Sequence, residues 1–347
     1  RDGFYKLFPE LAGNLNIFIS NADGTNLTPI TNGLNGYNTI QSISPDKDKI
    51  LITSFKNDPA SQTARVNRTW DLFLCSLTDP NLEPIKLASG SSWSFENQAE
   101  WIDNEKIVYI GQGANGFGIY TINSDGSEKQ IILNSTQDLI PTKIFLDEKY
   151  IYWGSQQTQN LKLAYWKLSI DGSEQEPLIS SGTQIQSFPL MISPDKAKVV
   201  WIEENNIIKV AELNALDQAK TIPTIGSSLN LFVTWYPDSS KFLLIETRPY
   251  KFTIVSENGD LEYSFEMPSL PPFSVLHKQP EVFRRQTYSL SPDGKQLLVS
   301  KSTGDILERA TLILDMEKIE LSEQFTTAIN QSSTIDEPTY GTIYWLP

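Results

Sequence analysis

One short motif recurs along the whole chain and limits the fold more than any other feature. An apolar or aromatic residue, one further residue, and then Pro or Asp open a polar turn, and an apolar run follows. Ile43-Ser44-Pro45-Asp46 leads to Ile50-Leu51-Ile52, Trp101-Ile102-Asp103 to Ile107-Val108-Tyr109, and Phe145-Leu146-Asp147 to Tyr150-Ile151-Tyr152. Ile192-Ser193-Pro194-Asp195 leads to Val199-Val200-Trp201, Trp235-Tyr236-Pro237-Asp238 to Phe242-Leu243-Leu244, and Leu290-Ser291-Pro292-Asp293-Gly294 to Leu297-Leu298-Val299. Each unit is two strand-like runs about a short turn, the pattern of a β-hairpin. Pro sets φ, and Asp bonds the backbone that follows it.

A second hairpin follows each first one. Its turns are Ala22-Asp23-Gly24-Thr25, Ser124-Asp125-Gly126-Ser127, Ile170-Asp171-Gly172-Ser173 and Glu257-Asn258-Gly259-Asp260, with less regular versions near Asp79-Pro80, Leu216-Asp217 and Met316-Glu317. Asp-Gly and Asn-Gly supply the positive φ that tight hairpins need. Two hairpins per repeat make four antiparallel strands, one blade of a β-propeller. The anchor positions 45, 103, 147, 194, 237, 292 and 347 are spaced roughly 43 to 58 residues apart. The ending Ile343-Tyr344-Trp345-Leu346-Pro347 reads as a first strand, and Asp2-Gly3-Phe4-Tyr5-Lys6-Leu7-Phe8 as the second strand that it lacks. The expectation is an all-β chain forming a single seven-bladed propeller over residues 1–347. Blades 1 to 6 come from 32–338, and blade 7 from 339–347 together with 1–31. Closure by both termini removes the exposed edges of an open array.

The repeats Ser44-Pro45-Asp46, Ser193-Pro194-Asp195, Tyr236-Pro237-Asp238 and Ser291-Pro292-Asp293-Gly294-Lys295, with the Asp-Gly turns, resemble the TolB-type, WD-like β-propeller family over nearly the whole chain. The resemblance implies a propeller fold, a periplasmic or extracellular place in a bacterium, and protein partners. TolB itself is six-bladed behind an α/β domain, and neither feature is matched here.

Composition narrows the chemistry. A net charge of −14 disfavours general nucleic-acid binding, which needs a basic field. The single Cys75 cannot form an intrachain disulfide and reads as a small buried thiol in a third strand; the single His277 cannot build a zinc site. The Asp-Gly turns lack the carboxylate spacing of an EF-type calcium loop. No metal or cofactor is expected. Gly-x-Ser-x-Gly is absent, so no α/β-hydrolase nucleophile elbow accompanies the propeller. No stretch of about 18 apolar residues could span a bilayer as a helix. The start at Arg1, without Met or an apolar leader, reads as a mature or trimmed product.

With strands lettered A to D from the axis outward, the A–B and C–D turns share one face and the B–C and D–A loops the other. The turns are short and alike, whereas residues 56–69, 88–97, 269–285 and 327–339 form long loops on the second face, where function concentrates. Arg65, Arg68, Arg248, Arg284, Arg285 and Arg309 all fall in, or at the edge of, B–C and D–A loops. Trp93, Phe95, Phe273, His277 and Phe283 accompany them. Guanidinium forks grip carboxylates, and aromatic residues with Arg anchor interfaces. These eleven residues are the candidate binding site of a non-enzymatic module for a protein or peptide; the bland alternative is that the arginines only offset nearby Asp58, Glu96 and Glu281. Two other functions stay open: an enzyme or sensor acting on carbohydrate or peptide at the axial channel through carboxylates such as Glu96 and Glu100, or the propeller part of a larger receptor or hydrolase.

Overall fold

The computed structural model describes residues 17–19, 26, 28–31, 34, 37–57, 68–92, 99–113, 116–135, 139–157, 163–178, 190–203, 207–223, 231–247, 250–266, 287–291, 293–302, 309–317 and 320–322. Contacts divide the chain into two units, formed by the described residues of Arg1–Ser181 and of Gly182–Pro338.

In the first unit, β1 (Phe18–Ile19) pairs with β2 (Thr28–Pro29) as a two-stranded ribbon. Blade 1 is β3 (Tyr37–Ile43), β4 (Lys49–Asn57), β5 (Arg68–Ser76) and β6 (Ile85–Ser92). Blade 2 is β7 (Ala99–Trp101), β8 (Lys106–Gly113), β9 (Gly116–Asn123) and β10 (Gln130–Asn134). Blade 3 is β11 (Leu139–Leu146), β12 (Tyr150–Gln157), β13 (Leu163–Ser169) and β14 (Gln175–Pro177). The second unit holds blade 4, with β15 (Met191–Ile192), β16 (Lys198–Glu203), β17 (Ile207–Glu212) and β18 (Lys220–Ile222). Blade 5 is β19 (Leu231–Trp235), β20 (Lys241–Thr247), β21 (Tyr250–Ser256) and β22 (Leu261–Glu266). Blade 6 is β23 (Thr287–Leu290), β24 (Gln296–Ser302), β25 (Arg309–Asp315) and β26 (Glu320–Ser322). Every sheet is an antiparallel meander in chain order, as two hairpins per repeat require. A 3-10 turn, Leu216–Gln218, links β17 to β18. The expected closing strands, 339–347 and 3–8, lie outside the described residues.

Two boundaries differ from the sequence reading. Residues 88–92 are not loop but the end of β6, paired with β5 through Ser92↔Arg68. The expected loop 56–69 is likewise shortened at both ends, because Lys56 and Asn57 pair with Thr69 and Arg68. Ser and Gly at 89–92 carry no apolar alternation, so the pairing there is set by strands already in register below it.

The second strand of each blade shows how sequence becomes packing. Its residues alternate between the two sheet faces. Leu51 and Phe55 of β4 join Trp70, Leu72 and Leu74 against Ile107, Tyr109, Tyr120 and Ile122 of blade 2. Val108 and Ile110 point the other way, to Ile144, Ile151, Trp153 and Leu168 of blade 3. In the second unit, Val200 and Ile208 meet Trp235, Phe242 and Leu244, while Leu243 and Ile245 face Leu290, Leu297 and Leu314. Trp153 and Phe242 are fully buried. Each such side chain contributes about 1.5–3 kcal/mol of burial. Trp101 and Trp235, at the same position of their repeats, sit in these inter-blade clusters. Cys75 is buried in β5, where desolvation pushes its thiol up to about 12 and makes it inert.

Candidate functional site

The A–B turns use their polar groups on themselves. Ser44 Oγ donates to Asp46 Oδ1 at 2.5 Å and accepts the Lys49 N–H at 2.9 Å. Lys47, between them, takes φ +64. Ser193 does the same with Asp195 (2.6 Å) and Lys198 N–H (2.9 Å), and Ser291 with Asp293 (2.5 Å) and Gln296 N–H (2.9 Å). Where Tyr236 replaces the Ser, Asp238 turns instead to Ser240, accepting its N–H at 3.1 Å and its Oγ at 2.8 Å. The Tyr236 ring needs space, and the next blade gives it: a Cβ on Gly294 would lie 2.9 Å from the ring. Neighbouring turns also cap one another. Asn104 Oδ1 accepts the Asp46 N–H at 3.0 Å, and Ser239 Oγ accepts the Asp195 N–H at 2.9 Å.

The C–D turns follow the same rule. Asp125 Oδ1 accepts the Ser127 N–H at 2.8 Å; Asp171 Oδ1 accepts from Ser169 Oγ, Ser173 Oγ and Ser173 N–H. The Ser169 hydroxyl, then Ser173, hold the Asp171 carboxyl down to about 2. Asp46, Asp195 and Asp293 are lowered first by their Ser hydroxyls, Asp125 first by Ser127 and Asp238 first by the Ser240 N–H. These carboxylates close their own turns, which is why they recur.

The opposite strand ends behave differently. Along the second strand, the sixth position is Ser54, Gly111, Ser155, Glu203, Glu246 and Lys301 in blades 1 to 6. On the same sheet face, the second and fourth positions are apolar or aromatic, such as Ile50 and Ile52, or Phe242 and Leu244. The apolar layers therefore stop one layer short of the B–C end. Ser54, Ser155 and Glu246 are nonetheless buried, and the Ser54 and Ser155 hydroxyls have no hydrogen-bond partner. In blade 1 the polar layer crosses the whole sheet. Asn38 pairs with Ser54, Ser54 with Asp71, and Asp71 with Ser89. Asp71 is buried, and its two oxygens take Lys56 Nζ at 3.1 Å and Lys86 Nζ at 2.6 Å.

Of the eleven residues expected on this face, Arg68 and Arg309 have described backbones. Each is the first residue of a third strand and pairs with the last residue of the second, Asn57 or Ser302. That is the B–C end, as expected. Arg65, Trp93, Phe95, Arg248, Phe273, His277, Phe283, Arg284 and Arg285 lie outside the described residues. Glu100 is in β7, and Glu96 is outside the described residues. Sequence reasoning missed the Lys56–Asp71–Lys86 group. Its signal is faint but present: Asp71 keeps the phase of Phe73 and Cys75, so a charge stands where the alternation asks for an apolar residue. No helix among the described residues is long and apolar enough to cross a membrane.

No family model and no curated protein matches the sequence. Solved structures do match in shape. Prolyl oligopeptidase B from Galerina marginata is 12% identical with a TM-score of 0.56, the match covering 82% of this chain and 41% of that one. Oligogalacturonate lyase from Vibrio parahaemolyticus is 16% identical with a TM-score of 0.51, covering 74% of this chain and 73% of that one. TolB from Acinetobacter baumannii also matches, at 13% identity over 79% of this chain and 68% of that one, with a TM-score of 0.41, so the assignment rests on the other two. The chain thus spans less than half of the prolyl oligopeptidase. At such identities the likeness extends to the fold and no further, since one fold hosts many chemistries: the chain is a β-propeller of four-stranded antiparallel blades.

Proposed function

We propose that this propeller is a non-enzymatic binding module that recognises a protein or peptide of acidic surface through its B–C and D–A loops. The observation that supports this reading is the contrast between strand ends. The turn-end carboxylates are spent on local hydrogen bonds, whereas toward the B–C ends of blades 1 and 3 the Ser54 and Ser155 hydroxyls have no hydrogen-bond partner. Arg68 and Arg309 stand at the B–C ends of blades 1 and 6. Arg65, Arg248, Arg284 and Arg285 with Trp93, Phe95, Phe273, His277 and Phe283 complete the proposed anchors, since Arg and aromatic residues dominate interface energetics. On a chain of net charge −14, local arginine clusters favour acidic partners at one face. The family resemblance adds a bacterial periplasmic or extracellular location.

Capture of the partner from cell extract tests the reading. Arg284→Glu with Arg285→Glu is expected to leave the fold intact, because loop-surface changes cost about 0.5 kcal/mol or less. It should weaken capture by about tenfold or more, as charged contacts contribute about 1.5–3 kcal/mol each. Lys47→Glu with Lys196→Glu, on the A–B turns, should change nothing. Equal recovery by all variants, or loss only with the lysine pair, would place recognition at the wrong end of the blades.

A further inference from the structure

Asp71 is a buried carboxylate with a lysine on each oxygen. Lys56 reaches Oδ2 from β4, and Lys86 reaches Oδ1 from β6. The neighbouring Ser54 hydroxyl is buried without a hydrogen-bond partner, so it does not share the carboxylate. Two ammonium groups against one carboxylate leave a local charge of +1, on a chain whose total is −14. Burial explains only the inner half of this group. The Asp71 side chain is 11% exposed, but the Lys56 and Lys86 side chains are 49% and 50% exposed. A buried carboxylate needs pairing, and one cation balances its charge; the second lysine serves the other oxygen but brings a charge in excess of that need. An ammonium has three donors, and a single carboxylate oxygen uses only one on each.

The spacing of the lysines is itself informative. Each ammonium sits on a different oxygen of one carboxylate, at 3.1 Å and 2.6 Å, so the two donors are near enough for a single carboxylate to meet both. A second carboxylate on the solvent side would meet the same two donors and neutralise the excess charge. We propose that Lys56 and Lys86 form a receptor for an acidic side chain of a protein or peptide partner, with Asp71 holding the two ammonium groups within reach of one carboxylate. The receptor rests on the acidic-partner reading above and gives it a specific contact in blade 1. Its role is recognition; no bond is made or broken.

The probe is a fluorescent hexaglutamate peptide, followed by anisotropy at low ionic strength, where exposed charges are least screened. Lys56→Ala and Lys86→Ala should each weaken binding by about fivefold, a modest loss because both ammonium groups are half in water. Lys47→Ala, on an A–B turn, should bind like the parent. Lys56→Gln with Lys86→Gln keeps half of each methylene stem and a polar end, and repeats the test if either alanine variant melts early. Unchanged hexaglutamate binding in that folded glutamine double variant would overturn the receptor. So would an oligonucleotide of matched charge that binds as tightly and loses as much with the same changes, since the site would then be a generic anion patch. Capture that depends on Arg284 and Arg285 while hexaglutamate binding ignores both lysines overturns the receptor and leaves the proposed face standing. Hexaglutamate binding that needs the lysines while capture ignores the arginines supports the receptor and removes the arginine site.

Discussion

Trp101 and Trp235 hold the same repeat position in different units, and their indoles meet different fates. Trp235 Nε1 donates to the Met191 carbonyl of the preceding blade at 2.8 Å. Trp101 Nε1 is buried with no partner. The difference lies in the preceding first strand. β15 is only two residues long, whereas β3 has seven and a bulge between Ile40 and Ser42, and Ser42 Oγ donates to the Ala99 carbonyl. Among the described residues, the buried side-chain polar atoms without partners all lie in the first unit. In the second, Trp201 Nε1 finds Glu203 at 3.1 Å. The repeat thus dictates apolar packing everywhere, but polar satisfaction is settled blade by blade.

Three comparisons can break or sharpen that statement. The largest effect is expected at the C–D turn glycines, which share a positive φ but not their surroundings. A Cβ on Gly172 would lie 2.7 Å from the Ile132 carbonyl oxygen, at φ +76. On Gly259, at φ +81, it would meet the Val210 side chain at 2.8 Å, and on Gly126, at φ +86, nothing within 4 Å. Backbone cannot yield as a side chain can. Gly172→Ala should therefore cost about 3 kcal/mol, Gly259→Ala about 2 and Gly126→Ala about 1, the last from strain alone. Urea titrations that return one value for all three would show that the turns are looser than their contacts imply.

The tryptophans come next. Trp235→Phe removes a donor and strands the Met191 carbonyl, so it should cost about 1 kcal/mol more than Trp101→Phe, which removes a donor that has no acceptor. Both replacements lose similar packing. Equal midpoint shifts at unchanged denaturant slope would mean that Trp101 has an acceptor in solution.

The smallest per-site effect is acidic. The folded state lowers the carboxyls of Asp46, Asp125 and Asp171 in the first unit and of Asp195, Asp238 and Asp293 in the second. A depressed carboxyl contributes stability above its unfolded value, 3.8, and loses it as pH falls through the folded value, about 2 for Asp171. Unfolding free energy should therefore be level toward neutral pH as far as these groups are concerned, and decline from about pH 4 to pH 2. Ser44→Ala and Ser193→Ala should lessen that decline equally, one in each unit. Unequal losses would show that the matching turns are not energetically matched.

Much of the fold was legible from two local signals. The Ser-Pro-Asp and Asp-Gly turns fall where the hairpins bend, because Ser, Asp and Gly each supply a bond or a dihedral that the turn itself requires. Ile50, Ile107, Ile151, Val199, Phe242 and Leu297 all lie in second strands, since a turn and an alternation together fix a register. Of the Lys56–Asp71–Lys86 group only Asp71 left a signal, a charge in an apolar phase; the lysines come from two other strands, and only the pairing unites them with it. The length of β6 was missed because Ser and Gly at 89–92 look like loop residues in one dimension. The shortened 56–69 segment was missed for a related reason: Lys56 and Arg68 are polar, and only their pairing partners mark them as strand.

The central claim, that recognition belongs to the B–C and D–A loops, is tested most directly by hydrogen exchange on the chain alone and with its captured partner. Peptides covering residues 58–67 and 269–285 should slow on binding, and those covering 44–49, 123–127 and 193–198 should exchange as before. Slowing confined to the three turn segments would contradict the account and move recognition to the opposite ends of the blades.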